Sequence, residues 1–400
     1  KDSIYCQFSF TLVNAKNLEQ NFVIPFNKPF LTGQEGRYLE EAISIGRLAG
    51  NGEFTKKCHE RLATEFGFKN CFLTTSATAA LEMAALLVDL KPGDEVILPS
   101  FTFVSTATPF ASRGAKLVFL DSQIDQPNLS LESLNQKISK KTKVIVVMHY
   151  AGMACEMDEI MELANRHGII VIEDAAHSIG ANYKNRPLGT IGHLAAFSFH
   201  ETKNISSGQG GLLVVNDDRF IERAEIIWDR GTNRKQFNLG LADYYSWQDH
   251  GSNFYPSEII AAFLLAQLEK RKFIETERSK IWNFYHGALK ILPSIGYRQP
   301  TIMNTQSNNH HIYYLLCPTK EKRDALIDYL EKQGVLAVFH YTPLHSSDFM
   351  RSQNKLIPTL PNADYFSDHL VRLPIFVGLE EKDLQKIVDA VITFTASNVG

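Results

Sequence analysis

From residue 70 onward the chain alternates short, unbroken apolar runs with stretches of helical spacing. The runs cover 71–74, 95–98, 116–120, 143–148, 169–173, 194–199 and 211–215. They are rich in Val, Ile, Leu and Phe and do not alternate apolar with polar residues. Strands covered on both faces look like this, which predicts a mostly parallel seven-stranded sheet between helices. The intervening stretches 79–90 and 156–167 read as helices; Pro92-Gly93-Asp94 stops the first and Gly168 caps the second. Strand–helix alternation over about 150 residues implies an α/β sandwich with right-handed crossovers.

A long helical pattern opens near Ser257 with Ile259, Ile260, Ala262, Phe263, Leu265 and Leu268. It runs through a charged section to Trp282, Tyr285 and Leu289. We take it as the connector to a smaller α+β unit, with strands over 311–317 and 335–341 and helices over 320–332 and 381–394. The expected division is an N-terminal extension over 1–22, a large cofactor-binding domain over 23–265, and a connector helix with a small C-terminal domain over 266–400. The extension has one apolar stretch, Ile4 to Val13, interrupted by Gln7 and Ser9. Asp2 follows Lys1 and no small-residue cleavage site is evident, so it reads as a tail rather than an export signal.

Charge and cysteine usage narrow the function classes. A net charge of −3 over 400 residues speaks against a nucleic-acid partner or a polybasic membrane surface. No run approaches the roughly 20 apolar residues of a transmembrane helix. Cys6, Cys58, Cys71, Cys155 and Cys317 are odd in number and form no CxxC pair, so free thiols and a cytoplasmic location are expected. The histidines form no HExxH set, so no metal is expected.

The candidate chemistry centres on Lys203. It follows Phe197-Ser198-Phe199-His200-Glu201-Thr202 and precedes the cluster Gly208-Gln209-Gly210-Gly211. A lysine between a buried strand and a glycine-rich turn is poorly placed for a solvated charge and well placed for covalent chemistry on an aldehyde. Asp174 ends another apolar run, in Glu173-Asp174-Ala175-Ala176-His177. A Schiff-base lysine and a carboxylate for a pyridinium nitrogen are what a pyridoxal 5′-phosphate site requires. Freed from the cofactor, such a lysine is also the base and acid that moves the substrate proton.

Other candidates fall repeatedly at the carboxyl ends of predicted strands, where ligands of open α/β sheets bind. Ser76-Ala77-Thr78 opens a helix, and is either a plain N-cap or a phosphate site. Asp174 either caps a helix or faces the ring nitrogen. Phe103 either packs in the core or stacks on a ring. Ser198 is an internal strand serine or a phosphate ligand, and His177 a structural histidine or a partner of the ring hydroxyl. Each is weak alone; the order of phosphate turn, aromatic, Asp, Ser, Lys and Gly-Gly on successive strand ends is strong.

These residues resemble the DegT/DnrJ/EryC1/StrS sugar aminotransferases, pyridoxal-phosphate enzymes of the aspartate aminotransferase fold type I. The likeness runs from Ile24-Pro25-Phe26 to the C-terminus. It rests on Ser76-Ala77-Thr78-Ala79-Ala80-Leu81, Pro92-Gly93-Asp94-Glu95-Val96, Pro99-Ser100-Phe101-Thr102-Phe103, Glu173 to His177, Phe197 to Lys203, and Gly208 to Gly211. Gln209 replaces the family's usual glutamate. The resemblance implies a homodimer with shared active sites. It implies that Asn253 reaches the neighbour's phosphate and that His345 is a small-domain residue near the active site. His200 and His149-Tyr150-Ala151-Gly152 resemble members that use L-glutamate to aminate C4 of a dTDP-linked 4-keto-6-deoxy sugar. Three rivals stand beside that reading: a C3 aminotransferase on the same scaffold, a sugar dehydratase of the same family (in which histidine replaces the lysine), and a non-catalytic nucleotide-sugar binder.

Overall fold

In the computed structural model residues 24–302, 307–353 and 356–397 are described, and the predicted extension over 1–22 lies outside them. The apolar runs form strands β1 (Cys71–Thr74), β2 (Glu95–Pro99), β3 (Lys116–Leu120), β4 (Thr142–Met148), β5 (Ile170–Asp174), β6 (Leu194–Ser198) and β7 (Gly211–Val215). These make one seven-stranded sheet in the order β1-β7-β6-β5-β4-β2-β3. Neighbours from β6 to β3 pair in parallel, while β7 runs antiparallel to both β6 and β1.

Both faces are covered, as the unbroken apolar runs require. On β4, Val144 and Val146 join one core while Ile145 and Val147 join another. On β7, Leu213 and Val215 point to the first core and Leu212 and Val214 to a third. The flanking helices are α1 (Glu35–Ile45), α2 (Glu53–Phe66), α3 (Ala77–Leu87), α4 (Met157–His167) and α5 (Glu258–Glu269). The α3 sequence ATAALEMAALL is apolar nearly all round because the helix is buried from Ala79 to Leu87, with Glu82 the exception. In α4 the buried positions Met157, Ile160, Leu163 and Ala164 make one stripe, and the helix ends at Gly168 with φ 66°.

The expected long connector is two helices. Lys270 breaks the ladder between α5 and α6 (Arg271–Ala288). The chain changes partner at this point. Leu264, Leu265 and Leu268 pack with α2 and β7, whereas Ile281, Trp282 and Tyr285 pack against the second sheet. That sheet has strands β8 (Tyr313–Leu316), β9 (Val338–Phe339) and β10 (Leu370–Leu373) in the antiparallel order β8-β10-β9. Helices α7 (Lys320–Lys332), α8 (Pro361–His369) and α9 (Glu381–Ser397) accompany it. The strands predicted over 311–317 and 335–341 are observed in shortened form, and β10 was not expected. Its register sets Arg372 opposite Tyr314 and Val338. Ile24 adds a parallel bridge to Val335, which carries Phe26 toward the large sheet.

Candidate active site

The carboxyl ends of β1, β5 and β6 open on a cavity of about 650 Å³. Because β7 runs in the opposite sense, its amino end lies at the same edge. Gly211 is registered with both Thr74 and Ser198. A Cβ on Gly211 would collide with the Ser76 carbonyl group, so only glycine lets β7 approach the start of α3 this closely. The Ser76 hydroxyl accepts from the Ala79 amide at 3.1 Å and caps α3. The amides of Ala77 and Thr78, in the first turn, have no partner within the helix. With the helix dipole and the nearby Ser198 hydroxyl they suit a phosphate.

Lys203 and Asp174 line this cavity together. Burial lowers the Lys203 ammonium pKa to about 7, and the Arg372 charge adds to the effect while Asp174 opposes it. A large fraction of this lysine is therefore a neutral amine at neutral pH, the form that attacks a carbonyl. Burial raises the Asp174 carboxyl. The Thr106 hydroxyl donates to Oδ2 at 2.6 Å and the Ala176 amide to Oδ1 at 3.2 Å, and both favour the charged form. Thr106 in turn meets the Thr102 hydroxyl at 2.7 Å.

Directly behind Asp174 is a buried scaffold. Glu173 accepts from the amides of Gly189 (2.8 Å), Ile191 (2.9 Å) and Gly192 (2.6 Å). His149 accepts the Cys155 amide on Nδ1 at 3.2 Å, so its proton is on Nε2, which donates to Glu173 at 3.0 Å. Burial alone would raise the Glu173 carboxyl, but His149 and these amides hold it below its usual value. Replacing Glu173 with glutamine turns an acceptor into a group with donors facing three amides and a histidine N–H. Glu173→Gln is expected to lower stability by about 3 kcal/mol in urea unfolding.

Neutral imidazoles also line the cavity. His177 accepts the Ala151 amide on Nδ1 at 3.3 Å, which leaves Nε2–H to donate to the Tyr341 hydroxyl at 3.4 Å. Asn204 donates to the Asn309 carbonyl at 2.8 Å, so its Oδ1 accepts from His311 Nδ1–H at 2.9 Å. Burial, with the charge of Lys203 next, depresses both His177 and His311 well below the ordinary histidine value. A base depressed in the folded state binds its proton more readily when unfolded. Their stability contribution is therefore complete above about pH 6.5 and is lost as pH falls through that value. The apoprotein is expected to lose stability with a slope that rises toward roughly 1.4 kcal/mol per pH unit for each of the two as pH falls from 6.5 to 5, measured by denaturant unfolding across that range.

The geometry can be set beside known proteins. A model of the DegT/DnrJ/EryC1/StrS aminotransferase family matches residues 30–392. The chain belongs to this family. It is 32% identical over 388 residues to the uncharacterized protein MJ1066 of Methanocaldococcus jannaschii, covering 95% of this chain and 100% of that one. It is 28% identical to the spore coat polysaccharide biosynthesis protein SpsC of Bacillus subtilis, over 93% of this chain and 97% of the other. Among solved structures, Helicobacter pylori PseC, an aminotransferase involved in the biosynthesis of pseudoaminic acid, superposes with a TM-score of 0.86 at 25% identity. That match covers 94% of this chain and all of PseC, 100%. The mostly parallel sheet is thus that of fold type I, and like its family this aminotransferase depends on pyridoxal phosphate. The residues present fit that cofactor. Free first-turn amides face a cradle that only a glycine at 211 permits, and a near-neutral amine and a buried carboxylate line the same cavity.

Ala77, Thr78, Phe103, Asp174, His177, Ser198, His200 and Lys203 all line the cavity. Two expected residues do not. His345 is buried with Nδ1 at 2.6 Å from the Ser100 hydroxyl and Nε2 at 3.6 Å from Asp364. It ties the 343–346 segment to the end of β2, because Ser100 also accepts the His345 amide at 3.2 Å. Asn253 is exposed, in a segment bridged to Asp229, outside its own chain's cavity. The cavity also contains Phe26, Thr202, His311, His340, Tyr341 and Arg372, none of which was singled out as a site residue from the sequence. The Cys58, Cys71, Cys155 and Cys317 thiols are free, and Cys6 lies outside the described residues. No helix among the described residues is long and apolar enough to cross a membrane.

Proposed function

We propose that this protein is a sugar aminotransferase that moves the amino group of L-glutamate to C4 of dTDP-4-dehydro-6-deoxy-D-glucose. The products are 2-oxoglutarate and a dTDP-4-amino-4,6-dideoxy-hexose of galacto configuration. The observation that carries the reading is the placement of Lys203, close to neutral, and Asp174, buried, in one cavity beside the free amides of α3. The relation to SpsC and PseC, both named for roles in carbohydrate biosynthesis, supports a sugar acceptor. The C4 position is favoured by His200, which lines the cavity with Nδ1 engaged by Thr202 at 3.1 Å.

The cofactor, when bound, supplies an aldehyde to carry the amino group and a ring to absorb the electrons of the broken Cα–H bond. The chain supplies the rest. The Lys203 amine takes the proton from the donor's Cα and returns it on the other side of the exchange. With the cofactor bound, the negative charge of Asp174 would keep the ring nitrogen protonated. The amides of Ala77 and Thr78 with Ser198 would hold the phosphate, the His177 Nε2–H that meets Tyr341 here would turn to the ring hydroxyl, and Phe103 would cover the ring. On this reading residues 23–265 are the cofactor-binding domain and 266–400 the connector helix with the small C-terminal domain. Asn253, exposed on its own subunit, completes the phosphate site of a second copy in a cytoplasmic homodimer.

The test is a visible absorption titration of the holoenzyme, first with L-glutamate and then with the dTDP-4-keto sugar. The yellow band is expected to bleach and then return, and proton NMR of the product to show an axial C4 amine. Amination at C3 would refute the C4 assignment. Bleaching without recovery would leave an aminotransferase with another acceptor.

A further inference from the structure

Asn204, the residue after Lys203, is buried, and both ends of its side-chain amide are engaged by one distant segment. Its Nδ2 donates to the Asn309 carbonyl at 2.8 Å, and its Oδ1 accepts from His311 Nδ1–H at 2.9 Å. Residues 309–311 lead into β8 of the small sheet. The same segment reaches the loop after β5. Asn309 Nδ2 donates to the carbonyls of His177 at 2.7 Å and Ile179 at 3.0 Å, and its Oδ1 accepts the His311 amide at 3.2 Å. A Cβ at position 152 would fall 2.0 Å from Asn309 Oδ1, so only glycine there admits this side chain. The segment is itself pinned: the buried Arg278 of α6 donates to the carbonyls of His310 at 3.2 Å and His311 at 2.7 Å. Between Asn309 and His311, His310 is held at φ 55°, a left-handed conformation that residues with a Cβ disfavour. Three residues thus join the loop carrying Lys203 to the loop that follows Asp174.

We propose that His311 is a positioning residue for proton transfer by Lys203, acting through Asn204. The inference rests on the Lys203 assignment above and adds what keeps that lysine in register with Asp174. The lysine amine is freed from its covalent link in each half-reaction and must come back to the same carbon. Its four-carbon stem is flexible, so the backbone has to fix where it returns. Two bonds on opposite ends of the Asn204 amide stop that backbone from sliding or turning. An error of about 1 Å in such a placement costs on the order of 100-fold in rate. A buried polar network with every member bonded rigidifies one arrangement, which apolar packing does less sharply. His311 borders the cavity, yet its Nδ1–H is spent on Asn204 and is not aimed at a substrate. Its ring also lies 4.7 Å from that of His177, so it touches both loops. Burial holds His311 well below the ordinary histidine value, which keeps the neutral donor in place at neutral pH.

The experiment compares His311→Phe, His311→Asn and Asn204→Ala holoenzymes with wild type in the glutamate half-reaction, with hydrogen or deuterium on the glutamate Cα. His311→Phe keeps a ring and removes the Nδ1 donor. It is expected to slow bleaching at saturating L-glutamate about 30-fold, while the concentration for half-maximal bleaching moves less than about threefold. The primary isotope effect should rise, because proton transfer by a misplaced amine becomes the slow step. His311→Asn, whose amide nitrogen sits near the place of Nδ1, should recover most of the rate. The double variant His311→Phe/Asn204→Ala should be no slower than the slower single variant, since both cut one link. Independently of the cofactor, the Lys203 amide, which donates to the His200 carbonyl at 2.9 Å, should exchange its hydrogen faster in His311→Phe apoprotein than in wild type, with β4 unchanged. Losses that multiply in the double variant would put His311 on the substrate directly and overturn the proposal. So would a His311→Phe enzyme that is less stable but has the wild-type rate and isotope effect. If His311→Phe does not fold, His311→Asn and Asn204→Ala decide: a slow Asn204→Ala beside a near-normal His311→Asn supports the link, and a normal Asn204→Ala overturns it. A wild type that no amino acid bleaches defeats the Lys203 assignment itself, a separate result seen before any substitution.

Discussion

Replacing Lys203 with alanine is expected to slow transamination by roughly 10³-fold or more while the protein still takes up pyridoxal phosphate. The two halves of that expectation rest on different residues. Uptake depends on the first-turn amides of α3, Ser198, His177 and Asp174, all of which line the cavity and none of which the substitution touches. Turnover depends on an amine that forms the covalent link and then moves the proton, and among the described residues no other lysine lines the cavity. Lys203→Arg separates charge from proton transfer. A guanidinium stays charged at any pH the protein survives, whereas the lysine, with its pKa at about 7, offers a neutral amine. Both variants should therefore be equally slow, with a bound cofactor whose spectrum lacks the lysine-linked yellow form. Single-turnover kinetics and absorption spectra decide the matter, and a Lys203→Ala enzyme with a tenth of wild-type activity would remove the lysine from the mechanism.

Lys203 was legible because its surroundings are local in sequence. A buried strand leads to it, a glycine turn follows it, Asp174 and Ser198 end neighbouring strands, and Ala77 opens the helix after β1, all beside apolar runs that are unmistakable. Burial on both faces makes those strands legible too, since every position is apolar and only the ends shift by a residue or so. The cavity residues on and beside the small sheet have no such signature. Arg372 lies in the four-residue strand Leu-Val-Arg-Leu, where an arginine between apolar neighbours reads as the outward face of an edge. Only the pairing of β10 between β8 and β9 makes it central. His340 and Tyr341 follow a strand of two residues, too short for a period to appear. His345 was named only from the resemblance, as a small-domain residue near the active site; the three-residue helical turn from Leu344 to Ser346 sets its ring onto Ser100, beside the cavity's own segment 339–342. Thr106, which holds Asp174, comes 68 residues earlier in the chain, and nothing in its local sequence points to that carboxylate.

Asp174→Asn is expected to lower kcat about 100-fold while leaving the apoprotein no less stable than wild type. Opposite demands on one carboxylate give the two effects. Burial raises the Asp174 pKa, so the charged form is a cost to the folded chain that Thr106, Ala176 and Lys203 only partly offset. Asparagine has the same shape and needs no charge solvation. Its oxygen can keep the Ala176 amide, and its NH₂ can donate to the Thr106 oxygen if the Thr102–Thr106 pair reverses its proton, which the 2.7 Å contact allows. The function asks for the charge that folding disfavours. Without it the ring nitrogen loses an adjacent anion worth about 1–3 pKa units, and the Cα–H bond becomes correspondingly harder to break. Thr106→Val should move in the same direction by a smaller amount, because it withdraws one bond from the charged form and leaves the charge in place. Urea unfolding of the apoproteins and kcat of the holoenzymes give the two axes, with the ¹⁵N shift of labelled cofactor reporting the ring proton directly. If Asp174→Asn loses stability and activity together, the carboxylate is a structural residue, and its position beside Lys203 does not bear on the chemistry.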